Sequence, residues 1–432
     1  MNCIVNNANA LSSFALRLLV CLTLFISACT TLKPVQLPDE YTQAPSDAQL
    51  WQSIAEIRAD NWFVLLNDGK NALDWRLTAI DSAVESIDLQ TFLWNFDTAG
   101  SLILDRLVSA ADRGVIVKIL IDDTFLITQD RMLVALADHP KIEYRVFNPF
   151  KHRSSGFVSR QFLNLNEFHR LDHRMHNKAM IVDNRIAIVG GRNLADEYFG
   201  LHNEANFRDL ELLAGGPIVE EVSASFDDYF NDDWSLPIDM VTHVEPNYLD
   251  LGSVRQMKDH EIYKYENKST NARQKLWENV VREAFRGEAL LFVDKPPVEN
   301  PASDESGPVQ LAAQMVALLD AAEEEVFIIS AYLIPSIELE GAIERAVRRG
   351  VNVQILTNSI RSNNHLAAHS AYRKHINELL TDGAKLHEIR VDARDRHFYM
   401  FPPTDNKSLA LHAKALVIDR DKVFIGSANL DP

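Results

Sequence analysis

The sequence predicts an α/β protein in which one structural unit occurs twice. In each half of the 432 residues, apolar residues recur first at strand spacing and then at helical spacing, in the same order. In both halves an Arg-Gly pair ends a helix, and 62 residues separate its glycine from a histidine, Gly114 from His176 and Gly350 from His412. Strands that alternate with helices form parallel or mixed sheets covered by helices. The repeat therefore predicts two copies of one α/β unit.

The first copy is predicted to contain a helix at 71–84, a strand at 87–93, a helical stripe at 104–111 and a strand at 115–121. The second copy repeats this order with a helix at 310–321, a strand at 326–332, a helical stripe at 339–347 and a strand at 351–355.

The two copies differ at their ends. The first continues through a strand at 210–213 and a helix that ends near Trp234, whereas the second stops at Pro432. About 40 residues have no counterpart in the second copy. We therefore expect the complete protein to continue beyond Pro432.

These patterns divide the chain into five segments. They are a signal peptide at 1–28, a lipidated cysteine and tether at 29–60, a first domain at 61–240, a linker with a connecting helix at 241–306, and a second domain at 307–432. The tether is Pro-rich and polar, and the linker is polar and charged and includes the Pro-rich sequence KPPVENP.

One motif recurs in both copies and carries the chemistry. The apolar runs around Asp183 and Asn184 predict two short strands joined by a tight turn. Because a strand alternates faces, His176 and Lys178 project from the same side. The second copy has the same spacing, with Lys at +2 from the histidine, Asp at +7, Gly at +14 and Asn at +17. The matched residues are His176, Lys178, Asp183, Gly190 and Asn193, and His412, Lys414, Asp419, Gly426 and Asn429.

Two HxKxxxxD motifs followed by GGRN and GSAN resemble those of the phospholipase D superfamily. The surrounding sequence, including SIDLQTFLWNFDTAG, RLDHRMHNK and ISAYLIP, looks most like bacterial cardiolipin synthases of the C-type. The likeness runs from about Trp62 to the last residue. It implies two phospholipase D-like α/β/α sandwich units, related by a pseudo-twofold axis and packed around one shared active site.

The resemblance also implies residue roles. A neutral imidazole attacks phosphorus to form a phosphohistidine, and a second, protonated imidazole donates to the leaving oxygen. It implies His176 as the nucleophile and His412 as the general acid/base, although the residues themselves leave the order open. Side chains that would donate to the nonbridging oxygens are Lys178, Lys414, Asn193 and Asn429.

Three carboxylates need separate interpretation. Asp183 and Asp419 fall at the far ends of the hairpins, which favours a role in the turn or in a salt bridge over direct chemistry. Asp209, 33 residues after His176 at the start of a strand, is the candidate for orienting the imidazole. Its counterpart in the second copy would lie beyond Pro432.

No metal or other cofactor is expected. His365 and His369 lie four apart on a predicted helix, as zinc ligands can, but no third ligand or Glu accompanies them. The resemblance rather places His369 and Tyr372 near the pocket of the second half.

The net charge of −18 argues against nucleic acid as the partner, because nucleic-acid binding relies on a basic surface. A local basic cluster precedes His176, and it either receives an anionic phospholipid or is a solvated loop. Its members are His169, Arg170, His173 and Arg174.

The N-terminus indicates export. An apolar run at 18–25 follows Arg17, and Ser27 and Ala28 precede Cys29, as in a bacterial lipobox. The run is shorter than the roughly 20 residues that cross a bilayer, which disfavours the alternative of a transmembrane anchor. We expect lipidation of Cys29 and, because Asp does not follow it, a location on the periplasmic side of the outer membrane. The remaining cysteines, Cys3 and Cys21, would leave with the signal peptide.

The favoured function is a transphosphatidylase that passes a phosphatidyl group to phosphatidylglycerol and so makes cardiolipin. Expected substrates are phosphatidylglycerol and, as a possible donor, phosphatidylethanolamine, and the expected partner is the membrane surface. Whether the enzyme also binds a protein partner is left open by the sequence. The alternatives are a phospholipase D that forms phosphatidic acid, a secreted nuclease or phosphodiesterase, and a non-catalytic envelope lipoprotein.

Overall fold

The computed structural model of the chain describes residues 32–153, 156–256, 263–294, 296, 310–363 and 366–429. The predicted signal peptide, Cys29, His365 and Pro432 lie outside the described residues. None of the helices that are described is long and apolar enough to cross a membrane.

The first half alternates helices and strands as predicted. Its helices are α1 (Gln49–Ile57), α2 (Gly69–Ser82), α3 (Thr98–Asp112), α4 (Asp130–Ala137), α5 (Phe157–Leu163), α6 (Phe168–Leu171), α7 (Asp196–Phe199), α8 (Ile218–Phe230), α9 (Ile238–Val241), α10 (Tyr248–Gln256) and α11 (Thr270–Glu283). Its strands are β1 (Trp62–Leu66), β2 (Ser86–Thr91), β3 (Ile116–Asp122), β4 (Ile142–Phe147), β5 (Ala179–Val182), β6 (Ile186–Gly190), β7 (Ala205–Arg208), β8 (Glu211–Gly215), β9 (Ser235–Pro237) and β10 (Phe285–Arg286).

The second half repeats part of this order. Its helices are α12 (Gln310–Asp320), α13 (Ile337–Arg348) and α14 (Leu366–Asp382). Its strands are β11 (Glu325–Ile329), β12 (Asn352–Asn358), β13 (Lys385–Ile389), β14 (Ser408–Leu411), β15 (Ala415–Ile418) and β16 (Lys422–Ile425).

Each half has its own mixed sheet. The first sheet has nine strands in the order β10-β1-β8-β6-β5-β2-β3-β4-β9, and the second has five in the order β13-β12-β11-β15-β16. In both, three neighbouring strands run parallel and a hairpin joins them antiparallel, as β5-β6 does beside β2 and β15-β16 beside β11. The predicted α/β class and the two-unit architecture are confirmed. Within the described ranges, the second sheet has no strands that correspond to β1 and β8.

Helix ends follow the sequence signals. Gly114 and Gly350 adopt positive φ angles of 102° and 93°, a conformation that glycine reaches without the steric cost of a side chain. Both residues directly follow the Arg that ends a helix. The observed helices α2 and α12 also match the predicted ranges within about two residues.

The first hydrophobic core extends beyond the predicted first domain. Trp51 of α1 lies within the segment interpreted as a tether, and Trp277 of α11 lies within the predicted linker. Their rings are 5.5 Å apart at 66°, and Trp277 also packs on Trp75 of α2 at 4.9 Å. The prolines near residue 40 suggested an extended chain, but Trp51 and Ile54, three residues apart, form an apolar stripe on a short helix. Burial of these side chains holds the helices against the first half.

Candidate active site

The two His-x-Lys pairs lie directly before the hairpins that the sequence predicts. Lys178 precedes the first residue of β5, and Lys414 precedes the first residue of β15. Both turns have positive φ angles at their two central residues, namely Asp183, Asn184, Asp419 and Arg420. Such turns match the right-handed twist of paired strands. Each hairpin therefore presents its His-x-Lys pair at the end opposite its turn.

Asp183 lies at the turn end of the first hairpin and is fully buried. Its carboxylate accepts hydrogen bonds from the backbone N–H groups of Val84, Glu85 and Ser86 and from Trp51 Nε1, at 2.6–2.9 Å. These donors include the first residue of β2. The carboxylate thus connects the turn to the start of the neighbouring parallel strand.

Asp419 makes the equivalent contacts in the second half. It accepts hydrogen bonds from the N–H groups of Glu323, Glu324 and Glu325 at 2.8–2.9 Å, and these donors hold its pKa below its usual value. The structure therefore places both motif aspartates at the turns and not beside the His-x-Lys pairs.

A small parallel sheet brings the two halves into one site. Strand β7 of the first half pairs with β14 of the second, so that Arg208 lies opposite Leu411. The next residues along these strands are Asp209 and His412, and His412 N–H donates to the Arg208 carbonyl at 2.8 Å. Parallel strands advance together, which places the two following side chains next to each other.

Asp209 and His412 form a buried pair across the two halves. The Asp209 carboxylate lies 2.6 Å from His412 Nδ1, so that the ring N–H donates to it. Burial alone would raise the pKa of Asp209, but the charges of His412, Lys414 and Arg192 outweigh it and lower that pKa. Burial and then Lys414 lower the pKa of His412 to about 4, although Asp209 acts in the opposite direction. The rings of Tyr198 and Phe207 contact the imidazole from the first half.

His176 occupies the same site from the other side. Its ring packs edge-on against Phe92 at 4.9 Å. Burial lowers its pKa well below the usual value, and the charges of Lys178, Lys414 and His412 lower it further, while a hydrogen bond with the Ser427 backbone opposes this. These influences favour the neutral form of the His176 imidazole. Ser427 directly follows Gly426 of the second motif, so this hydrogen bond places His176 beside the second motif.

The two lysines are buried next to the histidines. Lys178 Nζ donates to the His176 carbonyl at 2.6 Å, and Lys414 Nζ lies 3.0 Å from His412 Nδ1 and 3.1 Å from Nε2. Burial, followed by the charge of Lys414, lowers the pKa of Lys178 well below its usual value. Cations forced together in a low-dielectric site repel each other, and a bound anion would relieve that repulsion. The site is therefore built to receive an anionic group.

The two motif asparagines differ from each other in burial and in their hydrogen-bond partners. Asn193 is buried, and its Nδ2 donates to the Tyr198 hydroxyl at 2.8 Å, while its Oδ1 has no hydrogen-bond partner. Asn429 is half-buried, and its Oδ1 lies 3.4 Å from the N–H of Tyr332. Their predicted donation to a phosphate stays a prediction.

Three further residues support the site. Arg192, buried behind the site, donates to the Asp209 carbonyl at 2.7 Å and to Glu211 at 3.2 Å. A Cβ on Gly191 would lie 2.2 Å from Asp209 Oδ1, so only glycine leaves room for that carboxylate. Asp122, which is fully buried, accepts from Met175 N–H at 3.0 Å and so holds the segment that leads into the first motif. The GGR sequence signalled the first two positions, but no local pattern identified their contact with Asp209.

The predicted basic cluster is paired with protein groups where its side chains are described. Arg170 contacts Glu167 and donates to the Pro149 carbonyl at 3.1 Å. Arg174 donates to the Asn148 carbonyl at 3.0 Å. These guanidinium groups stabilise the segment before His176.

One group of potential metal ligands occurs among the described residues. Atoms of Glu340, His375 and Glu378 lie within 4.8 Å of one another on α13 and α14. These helices do not carry the His-x-Lys pairs. His369, for which the sequence disfavoured a role as a zinc ligand, packs edge-on against Tyr372 at 5.8 Å.

Comparison with known proteins agrees with this geometry. The family described as cardiolipin synthase, PLD-like domain, matches residues 77–234 and 315–432, and each matched segment contains one His-x-Lys pair. The chain is 33% identical to cardiolipin synthase C of Escherichia coli (strain K12) over 374 residues, covering 85% of this chain and 77% of that protein. The chain belongs to this phospholipase D-like family. It is therefore an enzyme of the phospholipase D superfamily.

Other relatives of this phospholipase D-like enzyme extend the comparison. An uncharacterized protein of Helicobacter pylori (strain J99) is 31% identical over 376 residues, covering 85% of this chain and 73% of that protein. The crystal structure of phosphatidylserine synthase from Haemophilus influenzae Rd KW20 is similar with a TM-score of 0.55 at 14% identity, covering 89% of this chain and 83% of that chain. The latter similarity concerns the fold alone.

Proposed function

We propose that the enzyme is a cardiolipin synthase-like phosphatidyltransferase. It takes the phosphatidyl group from one phospholipid and passes it to a hydroxyl of phosphatidylglycerol. The observation that carries this proposal is the meeting of two His-x-Lys pairs in one site, in which Lys178, His412 and Lys414 are buried. The cardiolipin synthase relatives support a phospholipid as the substrate, and the charge of −18 disfavours nucleic acid.

The first step forms a covalent intermediate on His176. A neutral ring nitrogen attacks phosphorus, the N–P bond forms, and the P–O bond to the leaving glycerol or ethanolamine breaks. His412 gives its proton to the leaving oxygen. Burial and both lysines lower the pKa of each histidine, but Asp209 opposes this lowering at His412 and so favours His412 as the proton donor.

The second step reverses the proton transfer. The acceptor hydroxyl of phosphatidylglycerol gives its proton to His412 and attacks phosphorus, and the N–P bond breaks. Lys178 and Lys414 stabilise the negative charge on the nonbridging oxygens in both steps. The anionic phosphodiester raises the pKa of His412 when it binds, because it offsets the nearby cations. Water as the acceptor would give phosphatidic acid.

Lipid analysis after incubation with phosphatidylglycerol vesicles tests this function. Cardiolipin and free glycerol in equal amounts are expected, and the His176→Ala variant should form neither. Phosphatidic acid without cardiolipin would assign the enzyme as a phospholipase D. Cleavage of DNA without lipid turnover would assign it as a nuclease. Phosphatidylethanolamine labelled in its headgroup shows whether this lipid also serves as the donor.

We place the enzyme at the outer membrane, on the periplasmic side, through a lipid on Cys29. The support is the apolar run and the small residues before Cys29. One lipidated residue holds a protein at the bilayer surface without a spanning helix. Labelling of cells with a fatty acid should mark the chain but not its Cys29→Ser variant. Equal labelling of both would contradict this placement.

A further inference from the structure

Helix α5 and the turn after it have an inverted polarity. Positions that face the protein are polar, and they are Arg160, Asn164 and Glu167, all at most 6% exposed. Positions that face outward are apolar and between 45% and 79% exposed, and they are Phe157, Val158, Phe162, Leu163 and Leu165. A surface helix of a soluble protein normally shows the opposite arrangement. Exposed apolar side chains in a contiguous group mark a binding surface.

Hydrogen bonds hold the helix in this orientation. Arg160 donates to the Leu126 carbonyl at 2.7 Å and to Asp123 at 2.8 Å. Asn164 accepts from His152 N–H and donates to its carbonyl, both at 3.0 Å. Rotation of α5 to bury its apolar side chains would break these bonds and leave buried polar groups without partners. The outward apolar face is therefore built into the fold.

An aromatic series connects this face to the active site. Phe157 stacks on Phe125 with ring centroids 6.1 Å apart at 13°. Phe125 contacts Phe92 edge-on at 5.4 Å, and Phe92 contacts His176 edge-on at 4.9 Å. An apolar path thus runs from the exposed face to the predicted nucleophile.

The N-terminal segment reaches the same region. Leu32 N–H donates to Glu167 Oε1 at 3.1 Å, at the edge of the apolar face. Cys29 precedes Leu32 by three residues, which span at most about 10 Å even when extended. A lipid on Cys29 would therefore enter the bilayer close to α5.

We propose that the apolar face formed by Phe157, Val158, Phe162, Leu163 and Leu165 inserts into the surface layer of a phospholipid bilayer. This inference rests on the proposed function, because a phospholipid substrate must leave the bilayer to reach His176. Contact between this face and the membrane places the start of the aromatic series at the level of the lipid chains.

Insertion is driven by apolar burial and not by charge. The arginines around the face already pair with carboxylates of the protein: Arg153 with Asp123 and Asp130, and Arg170 with Glu167. Surface attraction to anionic lipids weakens when salt screens it, whereas apolar burial does not. Binding through this face should therefore persist at high salt and on zwitterionic vesicles.

Fluorophores at two exposed positions test the insertion. All three cysteines lie at or before position 29, so that Val158→Cys or Leu249→Cys introduces the only thiol of the described residues. Both side chains are about 80% exposed, but Leu249 lies on α10. With the full chain on phosphatidylcholine vesicles, brominated acyl chains should quench the label at 158 at least about twofold and leave that at 249 unchanged. Equal quenching at both sites, or none at 158, would overturn the proposal.

Turnover rates with two kinds of phosphatidylglycerol substrate distinguish a loss of membrane contact from a loss of catalysis. The double variant Val158→Ser/Phe162→Ser should lose about tenfold or more in turnover of long-chain phosphatidylglycerol in vesicles, because two apolar side chains no longer enter the bilayer. Its turnover of a monomeric short-chain phosphatidylglycerol should equal that of the unsubstituted enzyme. Ile337→Ser, at an exposed apolar position on α13, is the matched control and should change neither.

The outcomes distinguish the two proposals. Quenching at 158 without any phosphatidyl transfer would keep the membrane contact and remove the proposed function. If the enzyme transfers phosphatidyl groups with both short-chain and vesicle substrates, and the double variant transfers them equally fast, the proposed function stands and the membrane contact is overturned. A change from dimer to monomer in the double variant would assign the face to a second copy of the chain and overturn membrane insertion.

Discussion

The Asp209 carboxylate accepts a hydrogen bond from Nδ1 of His412 at 2.6 Å, although 203 residues separate the two in the chain. Asp209 belongs to the first half and His412 to the second, and the pairing of β7 with β14 places them together. His412, the proposed general acid/base of one half, is thus held by a carboxylate of the other half. Neither half contains this pair by itself.

Replacement of Asp209 by Asn should lower kcat by about 100-fold or more, because the carboxylate that stabilises the imidazolium is lost. The change in KM should be much smaller. Without that charge the pKa of His412 falls further, so the residual activity should have its optimum at a lower pH. A pH profile of kcat checks this, and an unchanged kcat at neutral pH would contradict the orienting role.

The Gly191→Ala variant tests the same contact without a change of charge. The new Cβ would approach Asp209 Oδ1 to 2.2 Å and displace the carboxylate from His412. We expect a loss in kcat of at least about tenfold. Gly252→Ala is the control, because the space around that glycine is open. Equal activity of the two variants would show that the carboxylate tolerates displacement.

The two histidines should fail at different steps. With phospholipid labelled in the phosphatidyl group, His176→Ala should give no turnover and no covalent label, because the nucleophile is absent. With His412→Ala, the protein should retain the label when the reaction is stopped without acid. The intermediate still forms slowly, but its phosphatidyl group is not passed to an acceptor. Label on the His176→Ala protein would reverse the two roles.

Asp183 should matter for stability more than for chemistry. Asp183→Asn replaces the carboxylate that accepts hydrogen bonds from three backbone N–H groups and from the Trp51 indole. It should lower the free energy of unfolding by on the order of 2–3 kcal/mol. Asp419→Asn should cost less, because its carboxylate is more exposed to solvent. Urea unfolding at pH 7 measures both. A larger loss for Asp419→Asn would contradict the difference in burial.

Asp88 on β2 should make stability depend on pH. Burial raises the pKa of Asp88 to about 7, and the charge of Lys118 offsets only part of this rise. The native state therefore holds a proton that the unfolded state releases near pH 4, so the contribution of Asp88 to stability falls as the pH rises from about 4 to 7. Asp88→Asn should remove this loss.

The gain from Asp88→Asn should be larger at pH 8 than at pH 5, by on the order of 1–2 kcal/mol. Unfolding by urea at the two pH values measures the difference. Asp68→Asn, at an N-cap position where Asn also caps a helix, is the control for the loss of a carboxylate in the same half. A gain at pH 5 that equals the gain at pH 8 would show that Asp88 is charged at both.

Local patterns predicted the repeated elements and the two hairpins. Strand alternation around Asp183 and around Asp419 located the turns, and the spacing from Gly114 and Gly350 related the halves. The same patterns missed α1, because prolines before Trp51 indicated a tether. They also missed the continuation of the first core to Trp277, since that contact spans more than 200 residues.

The sequence by itself determined the α/β class, the duplicated unit and the His-x-Lys pairs, because periodicity and fixed spacing are properties of neighbouring residues. Only the tertiary structure decided that Asp209 serves His412, that Gly191 must make room for this carboxylate, and that α5 turns its apolar side chains outward. These relationships depend on strand register and on hydrogen bonds between distant segments. A linear pattern of residue types does not specify which of several distant partners a side chain will meet.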